Sequence, residues 1–256
     1  MTKAFKNEAW RILLAVEFLT RLPVAPKSAY SEQRFSDSVR HYPLAGSLIG
    51  AIAAAVFMVA LIVFPQTIAV LLSTALTVLI TGAFHEDGLA DTFDGIGGGT
   101  TAEKSLEIMK DSRIGVFGML ALLAVLALKV TALSLMPAEF VVLALIAAHC
   151  SSRWSSVIAI ASSSYVRENG TGKPTAAGIS KPALLYASAV GVSPIVVLVL
   201  LGAPIAAAGA AAGLLLGHVL ARLFFERKIG GYTGDCLGAV QQVSEVAMYL
   251  GILACL

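Results

Sequence analysis

The chain has 256 residues, of which 57% are hydrophobic and only 13% charged, and its mean hydropathy is +0.84. Soluble domains carry about 25% charged residues, so this composition excludes a soluble enzyme, a disordered chain and a nucleic-acid binder with a basic surface. A polytopic membrane protein remains, and the net charge of +2 says nothing until its distribution along the chain is read.

In chain order, the segment 10–22 holds Arg11, Glu17 and Arg21, and reads as an interfacial helix with its basic residues near the headgroups. No secretory leader is expected, because Glu17 interrupts the short apolar stretch 12–16 that follows Lys3 and Lys6. A membrane-spanning helix needs about 20 apolar residues. Six runs meet this: 44–64, 66–84, 115–136, 139–161, 183–203 and 205–225. A seventh, 239–256, is shorter and reads either as a span or as a packed helix. The expectation is therefore an all-α, polytopic integral membrane protein with six to seven transmembrane helices, forming a single domain over 1–256.

Charge orients these spans. The connections at Pro65, at Pro137–Ala138 and at Pro204 contain no Lys or Arg. Of the 18 basic residues, only Lys129 and Arg153 lie well inside a run; the rest precede the first span, fill the alternate connections or sit at their edges. The positive-inside rule then puts the N-terminus and the loops 85–114, 162–182 and 226–238 in the cytoplasm, and with them the active site. Gly209, Gly213 and Gly217 recur every four residues, as do Gly46, Gly50 and Ala54, the small-residue ridges that let helices approach closely in lipid. Lys129 reads as a snorkelling side chain.

The informative stretch follows the second run: His85-Glu86-Asp87-Gly88-Leu89-Ala90-Asp91-Thr92-Phe93-Asp94-Gly95. If the helix continues, Asp87, Asp91 and Asp94 at i, i+4 and i+7 share a face. Like charges so placed repel, at greater cost near lipid, and call for a cation. Oxygen donors without a His or Cys triad suit a hard ion, Mg²⁺ or Mn²⁺. A solvated acidic turn accounts poorly for so many charged groups in a chain so short of them. Residues 86–113 contain seven acids and three bases. Lys110 and Arg113 are placed to bind phosphate, or else to anchor the third span at the interface. A second glycine-rich element, Gly230-Gly231-Tyr232-Thr233-Gly234-Asp235, leads into the last helix, with backbone N–H groups suited to an anion or with Asp235 as a plain N-cap. Gln242 and Glu245 follow on a similar face. His149, Arg153 and Ser156 make a polar stripe in the fourth span, facing a cavity or pairing with an intramembrane acid, and His218 with Arg222 ends the sixth.

Other motifs fail. Gly172-Lys173 is not a P-loop, since Arg167 stands where the first glycine belongs and Pro174 follows the lysine. The run Gly95 to Thr100 lacks the third glycine of a dinucleotide fingerprint. The cysteines Cys150, Cys236 and Cys255 form no C-x-x-C pair and imply neither a disulfide framework nor a zinc site.

Three classes remain open to these residues. A membrane transferase acting on a phosphoanhydride uses metal-bound aspartates and an Arg or Lys for the leaving group. An ion-coupled transporter wants acids near the midplane and broken helices in both halves. A scaffold needs no acid cluster. The spacing Asp91-x-x-Asp94-Gly95 also matches the start of the CDP-alcohol phosphotransferase pattern, whose later half is missing here.

The acidic stretch from Phe84 to Gly95, the segment Met109-Lys110-Asp111-Ser112-Arg113-Ile114-Gly115 and the element Gly231 to Ala239 together resemble the signatures of the cobalamin synthase (adenosylcobinamide-GDP ribazoletransferase) family. Phe18-Leu19-Thr20-Arg21-Leu22-Pro23 and Tyr42-Pro43-Leu44-Ala45-Gly46 are similar to it too. The resemblance implies an enzyme of the bacterial cytoplasmic (inner) membrane that needs Mg²⁺. Such an enzyme joins adenosylcobinamide-GDP to α-ribazole or its 5′-phosphate and releases GMP. It implies contact with membrane lipid and none with nucleic acid, and it leaves association with copies of itself or with other cobalamin-pathway enzymes open. On this reading Asp87, Asp91 and Asp94, with Glu86, hold Mg²⁺ on the diphosphate, Lys110 and Arg113 steady the leaving GMP, and Asp235 or His85 takes the hydroxyl proton. The glycine loops, through Gly98, Gly231 and Gly234, approach phosphate or nucleotide, and Arg153 with His149 faces the substrate cavity.

Overall fold

The computed structural model describes residues 3–167 and 178–256. Gly172, Lys173 and Pro174 lie outside them, as does part of the 162–182 loop. Eleven α-helices occur among the described residues: α1 (Lys3–Leu19), α2 (Glu32–Ser38), α3 (Tyr42–Leu61), α4 (Gln66–Thr81), α5 (Phe84–Gly98), α6 (Ala102–Ile108), α7 (Val116–Leu135), α8 (Ala138–Ser162), α9 (Lys181–Leu200), α10 (Pro204–Ile229) and α11 (Gly234–Leu253). Six stretches are long and apolar enough to cross a membrane, those ending in α3, α7, α8, α9, α10 and α11. The all-α polytopic expectation holds, and the last helix runs 20 residues, long enough to span. The segment expected at 10–22 is α1, which is not one of these six. Pro65, Pro137 and Pro204 stand at the starts of α4, α8 and α10, where a missing N–H costs nothing.

The second expected run, 66–84, does not continue straight into the acidic stretch. Gly82 (φ +66) and Ala83 (φ +58) both take the left-handed conformation, so α4 ends and α5 leaves it at 85°. A glycine adopts this backbone readily and an alanine does not. Ala83 is the one described residue other than glycine with positive φ.

The small-residue ridges act as read. A Cβ on Gly209 or Gly213 would lie 2.1 Å from the carbonyl oxygen of Gly251 or Ala247, so α10 and α11 pack backbone to backbone. Gly46 and Gly50 likewise bring α3 against α8, where a Cβ would lie 2.2 and 2.7 Å from the His149 and Leu145 carbonyl oxygens. The fully buried rings of Phe57 and Tyr249 belong to one apolar core between these pairs. The outward faces carry exposed Leu, Val and Ile, among them Leu79, Leu120, Leu200 and Leu215, as lipid contact requires.

Candidate active site

The site is built where α5 meets the start of α11. Gly88 and Gly238 permit the contact, since a Cβ on Gly88 would lie 2.8 Å from the Asp235 carbonyl oxygen and one on Gly238 3.0 Å from that of His85. The acids of α5 thereby face the N-terminal turn of α11. Asp91 lies in the electrostatic range of Asp235, Asp87 and Asp94, with Arg167 the cation opposing them. Arg167 Nη2 lies 2.7 Å from Asp235 Oδ2. It is delivered by a single bridge between Tyr165 and Tyr232, in which Val166 N–H donates to the Tyr232 carbonyl and Tyr232 N–H to that of Ser164. Gly231 is required there, because a Cβ would lie 2.2 Å from the Ser164 oxygen.

The four acids of the sequence motif part into different duties. Asp87 is exposed and Asp91 half-buried. Asp94 is buried, and both its oxygens serve backbone: Gly115 N–H donates to Oδ2 at 2.7 Å and Gly118 N–H to Oδ1 at 2.8 Å. It caps the otherwise unsatisfied first turn of α7. Glu86 is 9% exposed; its Oε1 accepts from Gln242 Nε2 at 2.9 Å, and its Oε2 is buried without a partner. Among the described residues no three acidic, His or Cys side chains converge as a ready-made metal cage. The donor chemistry nevertheless fits a hard cation. Asp87, Asp91 and Asp235, three oxygen-only carboxylates, lie within electrostatic reach of one another beside one arginine, and Glu86 adds an unpaired buried oxygen.

Behind Glu86 runs a buried polar network inside the bundle. Gln242 Oε1 accepts from Lys129 Nζ at 3.1 Å, and Lys129 Nζ lies 2.8 Å from Glu245 Oε1. Glu245 is fully buried and also accepts from Gln241 and from the Tyr249 hydroxyl. His149 Nδ1 stands 3.4 Å from its other oxygen, and Arg153 Nη1 donates to the His149 carbonyl at 2.9 Å. Lys129 therefore does not snorkel. At 4% exposure it points inward, because Glu245 satisfies its charge within the bundle. The polar stripe of α8 is the structural pairing foreseen as one option, and Arg153 also lines a cavity beside His85.

The phosphate candidates are less assembled. Arg113 and Lys110 are exposed. Arg113 closes on Asp111 at 2.6 Å, and its hydrogen bonds hold the Asp111 carboxyl down at about 2. Gly98 ends α5 and is exposed, while Lys228 Nζ reaches over from α10 to the Ile96 carbonyl at 2.7 Å and to that of Gly99. Gly234 lines the cavity with His85. The sequence reading missed Arg167 as a site residue. Its signal was a basic residue just after the fourth span, and only the Tyr165–Tyr232 bridge brings it to Asp235.

Membrane-crossing helices wrapped around an acid-lined site at one end of the bundle define a polytopic membrane enzyme. The family profile described as cobalamin-5-phosphate synthase matches residues 11–253. The chain is 43% identical over 97% of its length, and 97% of the relative's, to the adenosylcobinamide-GDP ribazoletransferase of Ralstonia pickettii. It is 45% identical to that of Shewanella frigidimarina, covering 94% of this chain and 93% of the other, and 40% identical to that of Vibrio cholerae, covering 94% and 92%. No solved structure matches. The chain belongs to the cobalamin-5-phosphate synthase family.

Proposed function

We propose that this chain joins adenosylcobinamide-GDP to α-ribazole or its 5′-phosphate in the bacterial inner membrane, with its site on the cytoplasmic side and with Mg²⁺ as cofactor. The observation that carries this reading is the apposition of the α5 acids to Asp235 and Arg167 across the Gly88–Gly238 contact. That cluster offers carboxylates for a cation and a guanidinium for a phosphate oxygen, the two things a diphosphate requires.

A ribose hydroxyl of α-ribazole attacks the cobinamide-side phosphorus. The new P–O bond forms as the bond to the GMP oxygen breaks, and GMP leaves with the electron pair. Asp87 and Asp91, with Asp235 facing them, would hold the Mg²⁺. When bound, it neutralises the diphosphate and the charge developing on the leaving oxygen. Asp94 fixes α5 against the start of α7 and so sets the position of Asp91 one turn earlier. Gln242 fixes Glu86 from behind. Arg167 steers a phosphate oxygen once Asp235 engages the cation, and Lys110 and Arg113 meet the guanosine phosphate from the exposed loop. His85 takes the hydroxyl proton, because its ring lines the cavity next to the acids while Asp235 is already paired.

The direct test supplies adenosylcobinamide-GDP, α-ribazole and Mg²⁺ to the purified protein in lipid nanodiscs. GMP release with formation of the coupled product is the expected result. No release under these conditions rejects the reading, and gradient-driven uptake by the same protein in vesicles would favour a transporter.

A further inference from the structure

Helix α5 carries the acids, and its own sequence gives its far end little to hold it. Its last turn contains Gly95, Gly97 and Gly98 and no basic residue, and glycine is the weakest helix former after proline. The capping residue Gly99 is extended (φ −74, ψ 139), so the left-handed cap that commonly satisfies a helix's last carbonyls does not form, and the cap hydrogen bond runs from Gly99 N–H to the Gly95 carbonyl. The cation comes from another helix. Lys228, in the last turn of α10, donates from Nζ to the Ile96 carbonyl at 2.7 Å and to that of Gly99. Its ammonium thus meets two carbonyls at the negative end of the α5 dipole.

The chain that follows Lys228 builds the opposite side of the site. Gly230 turns it in the left-handed conformation (φ +73), Gly231 lies against Ser164, and Tyr232 makes the bridge that delivers Arg167 to Asp235. Helix α5 is therefore held to this stretch at two places that flank Asp91. Near its start, Gly88 lies against the Asp235 backbone; at its end, Lys228 takes the last carbonyls.

We infer that Lys228 is a positioning residue of this site: it fixes the far end of α5 to the stretch that carries Asp235, and so sets how Asp91 stands against Asp235. This rests on the transferase reading and adds to it the part that holds its two acid-bearing elements in register. Lys228 acts through the two carbonyls. Asp94 ties α5 to the start of α7, whereas Lys228 ties it to the chain that leads into α11. Without Lys228 the Gly88 contact remains as a pivot, and the glycine-rich turn from Gly95 onward is free to unwind or swing, carrying Asp91 away from its partner. Displacements of about 1 Å are enough to cost on the order of a hundredfold in rate when reacting groups must be held in line.

The test uses the full chain in nanodiscs, with three variants. Lys228→Met removes the charge and the donors at similar length, and Lys228→Arg keeps both. Lys228→Gln keeps a neutral donor and takes the place of the methionine variant if that one does not fold. Each is studied well below its unfolding midpoint. Hydrogen exchange is followed over residues 93–101, Mn²⁺ affinity is measured by electron paramagnetic resonance with the metal alone, and kcat and KM are measured for each substrate. In Lys228→Met the end of α5 is expected to exchange about tenfold faster, the effect of losing a hydrogen bond from a charged donor. Mn²⁺ affinity should fall about tenfold or more, the range for removing a group that orients metal ligands. The kcat should fall between about tenfold and a hundredfold, with KM for α-ribazole within about twofold of the wild-type value. Lys228→Arg should recover most of each loss, and Lys228→Gln should fall between. A merely structural lysine would lower the unfolding midpoint and leave exchange at 93–101, Mn²⁺ affinity and kcat of the folded protein unchanged; that result overturns the assignment. So does a loss that Lys228→Arg does not recover. Exchange and Mn²⁺ affinity that respond as expected in a protein that releases no GMP leave the role of Lys228 standing and reject the transferase reading instead.

Discussion

Lys129 Nζ lies 2.8 Å from Glu245 Oε1, in a place where neither side chain reaches solvent: 4% and 0% of them is exposed. The lysine comes from α7 and the acid from α11, so a buried ion pair ties together two helices far apart in the chain, and Gln242 carries the tie on to Glu86. Removing one partner of a buried pair leaves an uncompensated charge, which costs about 3–5 kcal/mol. Glu245→Gln should lower the thermal midpoint in detergent sharply. Glu245→Gln combined with Lys129→Met should recover most of that loss. A double variant as unstable as the single one would show that the pair is not the unit of stability.

Asp91→Asn should abolish Mg²⁺-dependent turnover in a protein that still inserts and purifies normally. Asp91 makes none of the backbone contacts that Asp94 makes, so removing its charge spares the fold. GMP release at near wild-type rate in this variant would remove Asp91 from the cation site.

Asp94 has a different expected signature. Asp94→Ala strips the acceptors from Gly115 N–H and Gly118 N–H. The loss of a charged N-terminal cap, about 1–2 kcal/mol, should appear as a lower unfolding midpoint, together with reduced kcat. Asp94→Asn, which keeps one carbonyl acceptor, should fall between. Turnover lost with no change in midpoint would instead make Asp94 a direct participant in the chemistry.

The N-terminal helix carries its own pH dependence. Glu8 is partly buried, which raises its carboxyl, but the hydrogen bond from Arg11 and the charges of Arg40 and His41 outweigh this, and the net effect is lowering. A carboxylate lowered in the folded state stabilises it above the unfolded value of 4.5, and that contribution fades as pH falls through the lower folded value. Trp10 of α1, with Lys6 of the same helix 4.8 Å and Arg34 of α2 4.6 Å from its ring, reports on it. In a Trp154→Phe background, Trp10 fluorescence should be steady above pH 5 and shift as acid releases α1. The shift should move to higher pH in Arg11→Ala; an unchanged titration would clear Glu8 of the role.

Sidedness is open to direct labelling. Cys150 and Cys236 are buried and Cys255 is partly exposed. With Cys255 replaced by Ser, a cysteine introduced at the exposed Thr101 should react with an impermeant maleimide only in inverted membrane vesicles. Labelling in intact spheroplasts would reverse the assigned orientation of the acid cluster.

Much of this was legible in the chain because membranes restrict the answers. Apolar length gave five of the six spans and left the sixth, α11, as one of two readings, while the run 66–84 is broken at Gly82 into α4 and α5; the glycine spacing at 209, 213 and 217 announced a close helix contact without its partner, which is α11. The acids of α5 were legible as a cluster but not in their separate duties. Asp87, Asp91 and Asp94 keep helical spacing, yet whether a carboxylate meets a cation or an amide depends on the start of α7, which is 21 residues further on for Asp94 and Gly115. Lys129 misled because its partner lies far away in sequence, and hydropathy registers the cost of a charge without showing where its counterion sits. Arg167 gave no motif at all, since its place is set by a two-residue bridge to the glycine-rich loop.

The break at Gly82 and Ala83 has a consequence for where chemistry occurs. A helix running straight on from Thr81 would carry Asp91 some 15 Å further along the axis of α4, at about 1.5 Å for each of ten residues. The 85° turn sends α5 off nearly at right angles instead, so its carboxylates stay beside the end of α4 and against the first turn of α11. On the proposed orientation the two reactants would then meet at the mouth of the bundle rather than beyond it, and a change in the tilt of α4 would swing the whole acid face with it.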